Sequence, residues 1–238
     1  MPEFEDFMHN LLGAYIPIFR RELRAGSMTF DLRPGNEPMT GMQLHRRDEV
    51  FVQHVMDHFA EISDSYERLR DVELYVGRFP FDRTRVDKVR FLRFAVEAWL
   101  HEMYMLRERL YAFAAMLQRA YRRDQRSQQA ADATTAMRAL AKHALDNVVR
   151  ARDTHVHQRR YSDINIRQLT LLSIAARREP EHTWLFENVY AETRKQKRSW
   201  VKQNNDATEK VLDKYFALAT EVIFDRGHLR PPTPNDCR

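Results

Sequence analysis

Cysteine is nearly absent from this chain, with Cys237 the only one in 238 residues. A disulfide framework and a thiolate metal site within one chain are both excluded, since each needs more than one thiol. That usage points to a cytoplasmic protein. Glycine and proline are scarce as well, at 6 and 9 residues, a balance that suits long helices with solvated faces. No apolar run approaches the roughly 20 residues that span a bilayer. The first residues, Met1-Pro2-Glu3-Phe4-Glu5-Asp6, are acidic, the opposite of a secretory leader's cationic start. Neither a membrane span nor a leader is expected.

What is present is a chain long enough to bury a core, with 43% hydrophobic and 31% charged residues. The net charge is +5 and the isoelectric point about 9.4, which admits a polyanionic partner. Arginine supplies 32 of the 39 basic residues. The guanidinium is permanently charged and planar, matched to phosphate oxygens.

Apolar residues recur at steps of three and four along most of the chain, and no strand-like alternation persists. Phe4, Phe7, Leu11, Tyr15 and Ile18 predict an N-terminal helix over 1–24, with Pro17 expected to kink or shorten it. Residues 25–48 hold Gly26, Pro34, Gly35, Pro38 and Gly41 and read as a loop or arm. Val52, Val55, Phe59, Ile62, Tyr66 and Leu69 then predict a long helix closed by Gly77 and Pro80. Leu92, Val96, Trp99, Met103, Leu106, Leu110, Phe113 and Leu117 predict a second. Met137, Leu140, Ala144 and Val148 mark a third, expected to end near 150–152 and to be followed by a loop over 153–163. Ser162, Asp163 and Asn165 are N-cap candidates for a short helix stopped by Pro180. A last long helix runs from Trp184 to Val222. The expected fold is all-α, an antiparallel up-and-down helical bundle with long helices over 49–225, followed by a flexible tail over 226–238.

The chemistry-bearing stretch is Arg152-Asp153-Thr154-His155-Val156-His157. Histidine titrates near neutrality and can take and give a proton. RNA carries its own nucleophile, the 2′-hydroxyl, so an imidazole and a phosphate clamp can suffice without a metal or cofactor. Spacing alone does not select this pair. Arg138 with His143, Arg150 with His155, Arg152 with His157 and Arg177 with His182 all share it, in a chain rich enough in arginine to produce it by chance. Inside a helix, five positions stand about 140° apart, which sets Arg138 and His143 aside. Arg150 to His157 are distinguished by the expected junction between a core helix and a capped one, where backbone amides attract an anion. Arg150 with His155 is a shifted alternative register of Arg152 with His157, Asp153 can orient Arg152, and Arg159 and Arg160 add charge nearby.

This motif within an all-helical bundle resembles the signature of the HEPN superfamily (higher eukaryote and prokaryote nucleotide-binding domains). That pattern is an arginine, often followed by asparagine, aspartate or histidine, then three or more residues and a histidine. The resemblance implies a metal-independent endoribonuclease that leaves 2′,3′-cyclic phosphate ends. Arg152 would match the family's arginine, Asp153 its polar neighbour and His157 its histidine. It further implies a homodimer with two motifs facing one cleft, a toxin, defence or RNA-processing setting, and an antitoxin or other protein partner. A subgroup has a tyrosine two positions after the histidine, where this chain has Arg159. The alternative is a HEPN-like bundle without catalysis that binds RNA or nucleotide or serves protein assembly.

Other clusters are weaker. His54 and His58 lie four apart on a helix, but Val55 stands where a zinc protease needs its glutamate. Glu97, His101 and Glu102 have the wrong spacing for a di-iron bundle. No metal is expected. Arg194-Lys195-Gln196-Lys197-Arg198 followed by Trp200 is the densest basic run. Lys195, Lys197 and Arg198 are candidate RNA contacts, with Trp200 as a stacking platform for a base.

Overall fold

The computed structural model describes residues 1–25, 46–78, 86–157 and 163–233, with the backbone alone over 147–157. It is an all-α helical bundle. The helices are α1 (Pro2–Ala25), α2 (Arg47–Gly77), α3 (Lys88–Ala120), α4 (Ser127–His157), α5 (Ile164–Arg178) and α6 (Thr183–Ile223). A short 3-10 turn, Pro180–His182, joins α5 to α6, and a two-residue hairpin pairs β1 (Phe224–Asp225) with β2 (His228–Leu229). Pro17 stands inside α1 without ending it. Helix α2 reaches Gly77, as the periodicity predicts.

The chain forms two compact units. The first combines Met1–Glu61, Leu110–Leu140 and Leu212–Arg238, and the second Ile62–Arg109 and Ala141–Val211. The apolar steps read from the sequence are buried along α2 and α3, from Val52 to Leu69 and from Leu92 to Leu117, whereas Tyr15 and Ile18 of α1 and Leu140 and Ala144 of α4 are half-buried. In the first unit, Phe7, Leu11, Phe113, Tyr215 and Phe216 are fully buried. Phe7 meets Phe216 at 4.7 Å between ring centroids, and Phe4 meets Phe59 and Phe216, each at 5.1 Å. Such tilted and edge-on pairs add attraction beyond the area they bury. Asp213 of α6 accepts from the backbone N–H groups of Glu3 and Phe4 at 2.8 and 3.2 Å, so the start of α1 is capped from another helix.

Residues 226–233, within the expected flexible tail, contribute to a hairpin and to polar contacts. Arg226 and Gly227 both take positive φ, 50° and 79°, the geometry of a two-residue hairpin turn. Tyr121 donates to the carbonyl of Arg230 at 2.8 Å. Arg126 donates to the carbonyls of Val222 and Arg230 at 3.1 and 3.2 Å, its guanidinium 4.8 Å from the Tyr121 ring. Asp124, 4% exposed, accepts from the Arg126 side chain at 3.0 Å and from the Thr233 N–H at 2.7 Å. The turn over 121–126 thus holds the segment over 222–233 by part-buried polar contacts.

The second unit has its own buried polar centre. The Trp99 indole, fully buried, donates to Asn205 Oδ1 at 2.9 Å. Asn205 Nδ2 in turn donates to the carbonyl of Leu69 at 3.1 Å and to Glu73 at 3.2 Å. Trp99 with Asn205 and Met103 with Thr208 set α3 parallel to α6. Leu69 with Asn205 and Tyr66 with Glu209 set α2 against α6, the alternation an up-and-down bundle requires. Burial, with Glu209 beside it, pushes the Tyr66 hydroxyl up to about 12.

Two measurements test these centres. Burial alone would raise the Asp124 carboxyl, but hydrogen bonds from the Arg126 side chain and from the Arg126 and Thr233 backbone outweigh it and hold the group at about 2. A carboxyl depressed on folding stabilises above its unfolded value near 4 and loses that contribution as pH falls toward 2. Asp124→Asn is expected to cost about 2 kcal/mol at pH 7. The gap between wild type and variant should close between pH 4 and 2 in urea unfolding; a gap independent of pH would contradict the assignment. Asn205→Leu strands the Trp99 N–H and should cost about 1–3 kcal/mol by the same measurement.

Candidate functional site

Helix α4 continues through His157, which corrects the expected loop over 153–163. No glycine or proline interrupts 127–157, so nothing in the backbone chemistry stops the helix at its last apolar residue. The run Arg152 to His157 therefore occupies the last two turns of α4. This is a helix C-terminus, whose partial charge favours cations, and not the amide-rich N-terminus the sequence suggested. The side chains of Arg150, Arg152, Asp153, His155 and His157 lie outside the described residues, as do Arg159 and Arg160 altogether.

The helical backbone re-sorts the motif by face. Each residue advances about 100°, so Arg152 and His157 stand about 140° apart, as do Arg150 and His155. Ala130, Thr134, Met137, Ala141 and Leu145 form the buried stripe of α4. Continued by steps of three and four, that stripe reaches positions 148, 152 and 155. Positions 150, 153 and 157 share the opposite face, in line with position 146. Asp146 there accepts from Arg107 of α3 at 3.1 Å. Arginine and histidine thus follow Val148 on the stripe that carries small and apolar residues in the first turns of α4.

The nearest helix N-terminus is already filled. Asp163 is the N-cap of α5, accepting from the Ile166 N–H at 2.9 Å. Its other oxygen meets Lys197 Nζ, whose side chain is 13% exposed. Of the three candidate cations on α6, Lys197 is therefore held by Asp163, while Lys195 and Arg198 are exposed. Arg198 crosses Gly77 at the end of α2, where an added Cβ would meet its Nε at 2.9 Å. Trp200 packs on Trp99 at 4.6 Å between ring centroids. Trp200 itself is half-buried, and Lys197 Nζ lies 5.9 Å from its ring centroid.

Sequence reading missed a polar cavity of about 540 Å³ in the second unit, lined by Arg90, Arg93, Thr170, Ser173 and Arg177. Arg93 donates to the Thr170 hydroxyl at 3.1 Å, and its Nε is buried with no partner among the described residues. Arg177 pairs with Asp87, which caps α3 by accepting from the Arg90 N–H at 2.9 Å. The available signal was Arg90 and Arg93 three apart at the start of α3. Among the described residues, Glu179, Glu181 and His182 alone bring three candidate metal-ligating atoms within 4.8 Å of one another. Glu179 and Glu181 are exposed, and His182 Nε2 lies 2.7 Å from Glu179. Among the described residues, His54 and His58 form no such group.

No protein-family model, curated protein or solved structure matches the chain.

The capping role of Asp163 is open to measurement. Asp163→Ala removes both the α5 cap and the Lys197 contact, and should lower stability by about 1–2 kcal/mol in urea unfolding. Asp163→Ser, which restores a cap without a charge, should recover part of that loss.

Proposed function

We propose that this bundle is a metal-independent endoribonuclease of HEPN type, cleaving RNA through its 2′-hydroxyl and acting as a homodimer. Arg152 clamps the scissile phosphate and stabilises the charge that builds on it. His157 serves as general acid or base, and Asp153 belongs to the same face of the helix as His157. The observation that carries this reading is the stripe of α4, small and apolar through its first turns and then occupied by arginine and histidine at 152 and 155. Charged groups at seam positions must be paired or reach water, and a polar cleft at that end of the helix meets the need. An in-line cleavage draws on both an acid and a base. A cleft lined by two copies of the motif supplies both, even though positions 152 and 157 of one helix stand on different faces. Exposed Lys195 and Arg198 are suited to the RNA backbone.

Helical register makes His155 the nearer neighbour of Arg152, and the experiment separates the two histidines. Labelled RNA incubated with the purified chain in EDTA is expected to be cut to 2′,3′-cyclic phosphate ends. Arg152→Ala and His157→Ala should each lower the rate by about 10²–10⁴ with circular dichroism unchanged. Loss confined to His155→Ala would transfer the acid–base role to the seam. Wild-type rates in Arg152→Ala would remove the nuclease reading. A second reading, a non-catalytic bundle binding RNA or nucleotide or serving assembly, is favoured by the continuous helix through the motif and the filled N-terminus of α5. It predicts RNA retention on a filter with no cleavage.

A further inference from the structure

The first unit carries a second, more strongly cationic cavity of about 370 Å³, formed without any residue of the motif. Its charged lining is Arg47, His54, Arg119, Arg122, Arg123 and Asp124. Arg47 opens α2 and His54 stands seven residues on, so the two share one face of that helix. Arg119 lies in the last turn of α3, and Arg122 and Arg123 follow in the turn over 121–126. Phe51, 6% exposed, lies beneath them and packs edge-on to Tyr121 at 5.7 Å.

The charge balance of this cavity is one-sided. Asp124 is its only acid, and both of its carboxylate oxygens are engaged, by Arg126 and by Thr233. Arg47, Arg119, Arg122 and Arg123 are exposed and form no ion pair among the described residues. Arg21, Arg107, Arg126 and Arg177, by contrast, are each paired with a carboxylate. Four like charges converging on one concavity repel one another, and the concavity concentrates their field on whatever anion enters. Guanidinium forks match phosphate oxygens two at a time.

We infer that this cavity is a binding site for a compact oligophosphate, such as inorganic triphosphate or the phosphate chain of a nucleoside triphosphate. Compactness distinguishes this ligand from a nucleic-acid strand. A single strand spreads one charge per nucleotide along an extended groove, whereas here the cations surround one small volume. A triphosphate chain gathers its charges within that volume.

Calorimetric titration of the full chain with inorganic triphosphate tests the site without RNA, so its failure would leave the nuclease proposal where it stands. Triphosphate is expected to bind the wild type at least tenfold more tightly than orthophosphate. Arg122→Ala and Arg123→Ala should each weaken it about tenfold, and Arg119→Ala combined with Arg122→Ala should abolish it. Arg20→Ala, which removes the same charge from an exposed position of α1, should leave affinity unchanged; circular dichroism verifies that each variant folds. Adenosine triphosphate in a parallel titration separates the two sources: tighter binding than triphosphate assigns the nucleotide, equal binding the phosphate chain alone. Equal weakening by Arg20→Ala would reduce the site to diffuse attraction and overturn the proposal. Orthophosphate binding as tightly as triphosphate, or a single-stranded oligonucleotide displacing triphosphate from the cavity at lower concentration, would overturn it as well.

Discussion

One buried amide organises the second unit. Asn205 receives the Trp99 indole N–H and donates to the Leu69 carbonyl, so α2, α3 and α6 meet at one buried polar point. Apolar helix faces slide past one another at little energetic difference, because Leu packs on Val much as on Ile. A buried hydrogen bond does not tolerate sliding. Any shift by a turn would leave the indole N–H or the amide unsatisfied in a region that water does not reach. The register of three long helices is thereby fixed, and with it the level at which Arg107 meets Asp146 and the last turns of α4 emerge.

The first unit solves the same problem differently. Its centre is aromatic, with Phe59, Phe113, Phe216 and Phe224 each in ring contact with Phe7, and such rings pack at defined tilts without fixing register by polarity. Specificity comes from the periphery, where Asp213 caps α1 and the Asp124–Arg126 pair holds the chain after α6. That pair has a further effect. By occupying the one carboxylate that lines the cavity with Arg47, Arg119, Arg122 and Arg123, it leaves their charge uncompensated on the cavity side.

The long helices were legible because their apolar steps are uninterrupted: each predicted position from Val52 to Leu69 and from Leu92 to Leu117 is buried. Pro17 does not end α1, which continues to Ala25. The end of α4 misled. Arg152 to His157 look like a loop by polarity, yet none of these residues breaks a helix, and polarity alone does not stop one. The hairpin at 224–229 was invisible because two-residue strands are too short for alternation. Its stability comes from Tyr121 and Arg126, about a hundred positions earlier. The candidate site was legible as a motif and not as a geometry: faces of a helix can be assigned only once the residues are known to be helical. The arginine-lined cavity escaped because its residues come from three distant stretches that only the fold brings together.

The hairpin and its anchors have a consequence for how the chain matures. The second unit is complete in sequence by Val211, whereas the first requires residues after Leu212 to join stretches made much earlier. During synthesis from the N-terminus, α1 and the start of α2 must wait, with Phe4, Phe7 and Leu11 unshielded, until the last turns of α6 emerge. Closing so long a loop is slow compared with joining neighbouring helices. Exposed aromatic surface during that wait is what chaperones bind and what aggregation exploits. The grip of Tyr121 and Arg126 on the final segment is therefore the closing step of the first unit, and changes there would reduce the yield of folded chain before they altered any chemistry.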